Sequence, residues 1–416
     1  MSAVRGMRDL GPDETEHFEQ IRQTFTELAG LYSFRLMEPS PMEPLETLEA
    51  KSGPGIKDEI YFFKDKAGRE LGLRFDLTVG MTRFACADRG ASLPIKLACF
   101  GGVFRYDEPQ RGRYRWFYQW DLESYGSPNP EADAELVDFT SNLLGRAGFD
   151  QHLVKVGDRR VVEEFIAKKL GRSGDQGTEL MRALDKVDKK TEEEIVAEYA
   201  SKGFREDEVR RLLGFGRTEG SPDGVCSLLA EQGLESAEGL AQISSMLRGT
   251  RAKFGLCMSV VRGIDYYTSV VFEACDVRGE GVGSIAGGGR YDLLPGIFGR
   301  KDLSATGVAG GVERLMLSSR RSQAARDGRT YVAFTGETAG EALRISSDLR
   351  RAGVRVMVDL QRRSLSKQLE MASKQGFDRA VIVAPRELSE GKVIVKALKD
   401  KTEALLPLAS LAKELA

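Results

Sequence analysis

A chain of 416 residues is long enough for two or three domains and a well-buried core. Its 41% hydrophobic and 30% charged residues describe a soluble globular protein, and no stretch approaches the roughly 20 apolar residues of a membrane helix. Lys and Arg number 61 against 63 Asp and Glu, so a nucleic-acid partner would need a local basic patch rather than an overall field.

The opening MSAVRGMRDLGPDE has no apolar run of the kind a secretory signal needs, so none is expected. Residues 13–30 have helical periodicity, with Phe18, Ile21, Phe25 and Leu28 on one face. Within 57–78, two strand-like runs, EIYFF and ELGLRFDLT, flank KDKAGR, whose glycine suits a hairpin. The second run would place Arg74, Asp76 and Thr78 on one face of a strand. A further strand pair spans 96–123, a helix 131–147, and VKVGD returns as a short strand. From about 167 to 250 the chain is charged, helical and poor in aromatics, which reads as an inserted helical module outside the sheet core. Strand-like sequence resumes at 256–275 and 281–291, and 318–329 (SSRRSQAARDGR) reads as a linker. Beyond it TYVAFTG, a helix at 339–352, VRVMVDL, a helix at 364–375 and DRAVIVAP alternate, which predicts a small α/β domain with parallel strands.

The residue types narrow the chemistry. The five cysteines (Cys86, Cys99, Cys226, Cys257, Cys275) are scattered and never form CxxC, which fits a reducing cytoplasm and argues against disulfide or zinc frameworks. The two histidines, His17 and His152, sit in no motif, so catalysis falls to Arg, Asp, Glu, Gln and Tyr. Residues 113–123 alternate strictly. Arg113, Arg115, Phe117, Gln119, Asp121 and Glu123 fall on one face, and Tyr114, Trp116, Tyr118, Trp120 and Leu122 on the other. The aromatic face is expected to pack on the core and the polar face to look outward into a cleft. A solvated outer face is the plainer alternative. No GxxxxGK[ST] occurs, so a P-loop is disfavoured.

FRYDEP…RGRYRWFYQWDLE resembles the second signature motif of class II aminoacyl-tRNA synthetases, in its histidyl-tRNA synthetase form. The resemblance implies that Arg105 binds the amino-acid carboxylate and ATP α-phosphate, that Arg113 serves the ATP site, and that Gln119 and Glu123 line a histidine pocket. LRFDLT resembles the family's LRYDLT, implying that Asp76 and Thr78 hold the substrate's α-amino group. SPMEPLETL resembles the first signature motif, which would put Pro41 at a dimer interface. GSIAGGGRYDLL resembles the glycine run that approaches the histidine ring, here through Gly288. TGVAGGVERLMLSS resembles the third signature motif, making Arg314 a γ-phosphate ligand. VVRGIDYYTSVVFE resembles the histidyl-specific motif: Arg262 would contact the α-phosphate and carboxylate, Tyr266 and Tyr267 would wall the ring, and Asp265 would support Arg262.

The resemblance therefore implies an α+β catalytic domain on an antiparallel sheet flanked by helices (1–317), interrupted by the insertion at about 167–250. A linker (318–329) and an α/β anticodon-binding domain (330–416) would follow. Arginines 344, 350, 351, 355, 362, 363 and 379 there would contact the RNA backbone. The implied reaction activates L-histidine with ATP and Mg²⁺ to histidyl-adenylate and pyrophosphate, then transfers histidine to the 3′ end of tRNA(His). The implied state is a cytoplasmic homodimer without membrane attachment. The attacking group is the substrate carboxylate, so positioning and positive charge suffice and no histidine base is required. A non-catalytic paralogue acting as a histidine-sensing regulatory subunit is the alternative. Such relatives generally lack the C-terminal domain and have a degraded VRGxDYY segment, and this chain keeps both. A general RNA-binding module would leave the arginines of the first 317 residues unexplained.

Overall fold

Pro12 at the first helical position and Asp13 and Glu14 in the first turn open α1 (Pro12–Leu31), which buries Phe18, Ile21, Phe25 and Leu28 along one side. That stripe lies on a sheet: Phe18 and Phe25 sit 5.2 and 5.8 Å from the Phe100 ring, and Phe25 sits 6.1 Å from Trp120. The computed structural model describes residues 4–52, 54–106, 108, 112–187, 189–261, 266–278, 283–319 and 328–416. It divides into two compact units, Met1–Arg321 and Ser322–Ala416.

The strands of the first unit are β1 (Arg35–Leu36), β2 (Met42–Pro44), β3 (Phe62–Lys64), β4 (Glu70–Leu73), β5 (Ile95–Phe104) and β6 (Trp116–Tyr125). They continue with β7 (His152–Asp158), β8 (Glu219–Gly220), β9 (Phe254–Cys257), β10 (Val270–Asp276), β11 (Ala286–Arg290) and β12 (Ala305–Gly311). One nine-stranded sheet runs β1-β5-β6-β12-β11-β10-β7-β9-β8, and β2-β4-β3 form a small one. The large sheet is mixed: β1–β5 and β7–β9 are parallel and the other pairs antiparallel. Parallel partners need a long crossover. Between β7 and β9 it is supplied by α-helices at Arg159–Phe165, Gly174–Met181, Glu192–Ser201, Glu206–Gly216, Pro222–Glu231 and Glu238–Leu247.

The segment 167–250 is helical, as expected, and it packs on the sheet core. Its buried Leu180, Leu212, Leu213 and Ile243 belong to the same apolar cluster as Phe25, Trp120 and Val156. Phe215 stacks on Phe165 at 3.9 Å and 7°, and β8 adds an edge strand. The run 256–275 is likewise interrupted, with β9 ending at Cys257 and β10 starting at Val270.

β6 pairs with β5 over ten residues, from Ile95↔Tyr125 to Phe104↔Trp116. Trp120 and Leu122 join the cluster beneath α1, while Phe117 and Tyr125 join a second cluster on the opposite face with Met81, Val103 and Leu294. The polar face is thus no solvated outer face: Gln119, Asp121 and Glu123 are buried, and Arg113, Gln119 and Glu123 line internal cavities. Gly310 on β12 sits opposite Trp120, and any side chain there would collide with the indole.

In the second unit the order is β14-β13-β15-β16-β17, from β13 (Thr330–Phe334), β14 (Val356–Val358), β15 (Arg379–Val383), β16 (Lys392–Ala397) and β17 (Glu403–Pro407). The first three are parallel, with helices Ala339–Arg351 and Leu365–Lys374 between them. The antiparallel β16 and β17 extend the expected α/β pattern. Several of the unit's arginines are engaged locally: Arg344 with Glu341, Arg351 with Asp348, Arg363 with Asp359, and Arg379 with Thr330 and the Leu415 carbonyl. No described helix is long and apolar enough to cross a membrane.

Candidate active site

The loop end of the β5–β6 hairpin, β11, β12 and the loop before β10 enclose two joined chambers. The outer one, about 350 Å³, is lined by Arg105, Arg113, Tyr114, Phe117, Ser284 and Arg314 among others. The inner one, about 100 Å³, is lined by Asp76, Thr78, Glu123, Tyr266, Tyr267 and Tyr291. Arg105 and Gln119 line both. A larger cavity, about 950 Å³, opens elsewhere along β7–β9, but Asp185, Glu219, Glu273 and Asp276 oppose a single Lys155 there. That charge would repel the phosphates of the ATP that the resemblance implies, so size alone does not mark this cavity as the site.

Arg105 follows directly on β5. Its Nε donates to the Phe75 carbonyl at 2.9 Å, and its guanidinium lies 5.1 Å from the Phe117 ring centre. Arg113 is exposed at the mouth. Arg314 projects from the first turn of the helix Val312–Ser318 that follows β12, and Nη1 donates to the Ser284 carbonyl at 2.6 Å. Glu313 beside it is buried, its acidity weakened by that burial, and it accepts the Tyr118 N–H at 3.1 Å.

Asp76 and Thr78 reach the inner chamber by a different route from the strand face expected for them. β4 stops at Leu73 because Arg74 turns into a nest of acceptors, donating to the Gly102 and Pro39 carbonyls at 2.7 and 2.6 Å. Thr78 is the first residue of a helix, Thr78–Ala87, and Asp76 Oδ1 accepts the Val79 N–H at 3.2 Å within its first turn. Both side chains are buried.

The inner chamber is a ring of buried oxygens. Tyr291, quoted within its motif but given no role by sequence, donates its hydroxyl to Glu123 and stacks on Tyr266 at 4.9 Å and 18°. Tyr267 meets Tyr266 edge-on at 4.8 Å. Burial, reinforced by the Glu123 charge, pushes the phenols of Tyr266, Tyr267 and Tyr291 far up, so all three remain donors. Gln119 Oε1 is buried without a hydrogen-bond partner in the described structure and awaits a donor.

Gly287 of the glycine run lines the outer chamber, and Gly288 lies beside it in β11. A side chain there would strike Phe272 and the Gly307 carbonyl, so its smallness serves strand packing, and it does not line either chamber. Gly307 is the glycine at the pocket, where a Cβ would overlap the Glu123 carboxylate. Arg262 and Asp265 lie outside the described residues, as does most of the linker, 320–327. Pro41 is exposed, and its carbonyl accepts the Arg74 N–H at 3.0 Å.

Comparison with known families decides what this geometry belongs to. A family model described as histidyl-tRNA synthetase matches residues 6–315, and one described as an anticodon-binding domain matches 330–416. The chain belongs to the histidyl-tRNA synthetase family. As a synthetase it resembles histidine–tRNA ligases of Pyrobaculum arsenaticum, at 34% identity over 98% of this chain and 97% of that protein, and of Pyrobaculum islandicum, at 36% over 96% and 94%. The fold of this synthetase also matches a histidyl-tRNA synthetase crystal structure from Nostoc sp. PCC 7120, with a TM-score of 0.84 and 24% identity over 100% of this chain and 98% of that one. The synthetase fold therefore carries the two chambers at the centre of a class II catalytic sheet.

Proposed function

We propose that this synthetase activates L-histidine with ATP and charges tRNA(His), and that the two joined chambers are where activation occurs. The observation that carries the proposal is the sharing of Arg105 and Gln119 by both chambers. A ligand in the polar inner pocket and a polyanion in the outer one would meet at that arginine.

The chemistry assigns the parts. Asp76, Thr78 and the free Gln119 acceptor suit an α-ammonium. Glu123 and Tyr267, with Tyr266 and Tyr291 behind them, suit an imidazole, and analogues lacking its N–H groups would leave buried oxygens unpaired. The histidine carboxylate attacks the α-phosphorus, the bond to the bridging oxygen breaks, and pyrophosphate leaves. Charge builds on the phosphoryl oxygens, where Arg105, with Arg262 as the resemblance implies, would stabilise it. Arg113 and Arg314 would hold the leaving phosphates, and Mg²⁺ arrives on those phosphates as part of the substrate. The tRNA 3′-terminal hydroxyl then attacks the adenylate's carbonyl carbon, the bond from that carbon to the phosphate oxygen breaks, and AMP leaves as the hydroxyl proton is lost.

We further place the catalytic domain at 1–317, the linker at 318–329 and the anticodon-binding domain at 330–416. The exposed Met42, Phe62 and Phe63 on the small sheet next to Pro41 support a homodimer, and the resemblance implies that it is cytoplasmic. The test is histidine-dependent exchange of pyrophosphate into ATP. Folded protein that shows none is not a synthetase.

A further inference from the structure

The segment RGMRDL at 5–10 takes no part in the mechanism above, yet it is fixed to the loop that carries Arg113. Three contacts do this. The Gly6 carbonyl accepts the Arg115 N–H at 2.8 Å, while the Arg115 carbonyl, on the other side of the same residue, accepts the Arg105 N–H at 3.0 Å. The Arg8 guanidinium lies 4.4 Å from the Tyr114 ring centre and is itself held by Glu14 at 2.5 Å. Arg5 pairs with Glu108 at 3.1 Å, both side chains largely exposed.

We propose that residues 4–10 act as a strap that positions the nucleotide cleft, with Arg8 as a positioning residue for Arg113 and Arg105. The inference rests on the outer chamber being the ATP site. Its geometry follows from the hairpin. The leg Arg113–Arg115 leads into β6, and the Arg115 carbonyl holds it to Arg105 on the other leg. Gly6 supplies the acceptor for the Arg115 N–H, at a left-handed backbone turn (φ 82°) that closes with Met7 N–H on the Val4 carbonyl. Arg8 then clamps the ring of Tyr114, a residue that also lines the outer chamber. With the strap in place, Arg113 and Arg105 face the phosphates from a fixed hairpin, and less ordering is needed when ATP binds. Arg5 contributes little, because a solvent-exposed ion pair is weak.

The test measures KM for ATP and for histidine in pyrophosphate exchange, and ATP affinity by calorimetry. The proteins are the full-length chain and its Arg8→Ala, Arg8→Lys and Arg5→Ala variants. Arg8→Ala should raise KM and Kd for ATP roughly tenfold and leave KM for histidine within about twofold, and Arg8→Lys should recover most of the loss because a cation over the ring remains. Arg5→Ala should match the parent. An unchanged ATP constant in Arg8→Ala, or an equal rise in both KM values, overturns the strap. Should Arg8→Ala fail to fold, Arg8→Gln, which keeps the stem but removes the cation, is measured alone and with Tyr114→Leu: the ring's loss must abolish the Arg8→Gln effect on ATP affinity, and additive losses count against the strap. If the parent binds ATP more tightly than Arg8→Ala yet catalyses no histidine-dependent exchange, the strap stands and the synthetase reading falls.

Discussion

Glu123 is enclosed on three sides: the Tyr291 hydroxyl bonds it, Gly307 leaves no room beside it, and Leu97 faces it across the hairpin. Gly307→Ala should therefore cost about 1–3 kcal/mol through overpacking and raise KM for histidine more than KM for ATP. Unchanged melting and an unchanged histidine KM would show that the carboxylate can move aside. His152 is a second residue with one permitted state. Its Nδ1 sits 2.6 Å from the Phe149 carbonyl, and Nε2 sits 2.9 Å from Ser141 Oγ, which also takes the Lys253 N–H. The neutral ring donates at Nδ1 and accepts at Nε2, and burial lowers its pKa from 6.5. The unfolded chain then binds the proton more readily, so stability present above pH 6.5 is lost as pH falls below it. Urea unfolding at pH 7.5 and 5.5 should show a smaller acid loss in His152→Asn than in the parent, and parallel losses would place the pH sensitivity elsewhere.

At the scale of elements, Asp76 separates two roles that a simple deletion would confuse. Asp76 precedes the N-cap residue Leu77 and bonds the Val79 N–H; asparagine can keep that capping bond without the charge, whereas alanine forfeits it, at about 1 kcal/mol. Asp76→Asn should keep the parent's stability and still raise KM for histidine. Asp76→Ala should lose both, and a normal histidine KM in Asp76→Asn would confine Asp76 to capping. The cap was hidden in sequence because LRFDLT alternates like a strand, and what ends the strand is Arg74 reaching carbonyls at 39 and 102. β6 was legible at every position because period two needs only local residues, but whether its polar face met solvent depended on the second cluster under Phe117 and Tyr125. Tyr291 was missed for the same reason of distance, since its partner lies 168 residues away. In β16, Lys392 and Lys396 flank Val393 and Val395 and mask the strand.

At the scale of the molecule, the two compact units imply separable tasks. A chain ending at residue 319 should retain histidine-dependent exchange within about tenfold, because each unit has its own core. The same chain should lose tRNA charging far more severely, and equal losses in both assays would mean the second unit supports activation itself. The insertion invites no comparable cut. It reads in sequence as a module outside the sheet core because its charged faces dominate composition, while the leucines that join the main core are spaced at helical intervals. Since it forms the crossover that lets β7 and β9 run parallel, exchanging 167–250 between relatives as a cassette would place one seam between Phe165 and Phe215 and divide a stacked pair. A graft that works would have to match the host ring by ring, which ties the ancestry of the helices to that of the sheet they cross.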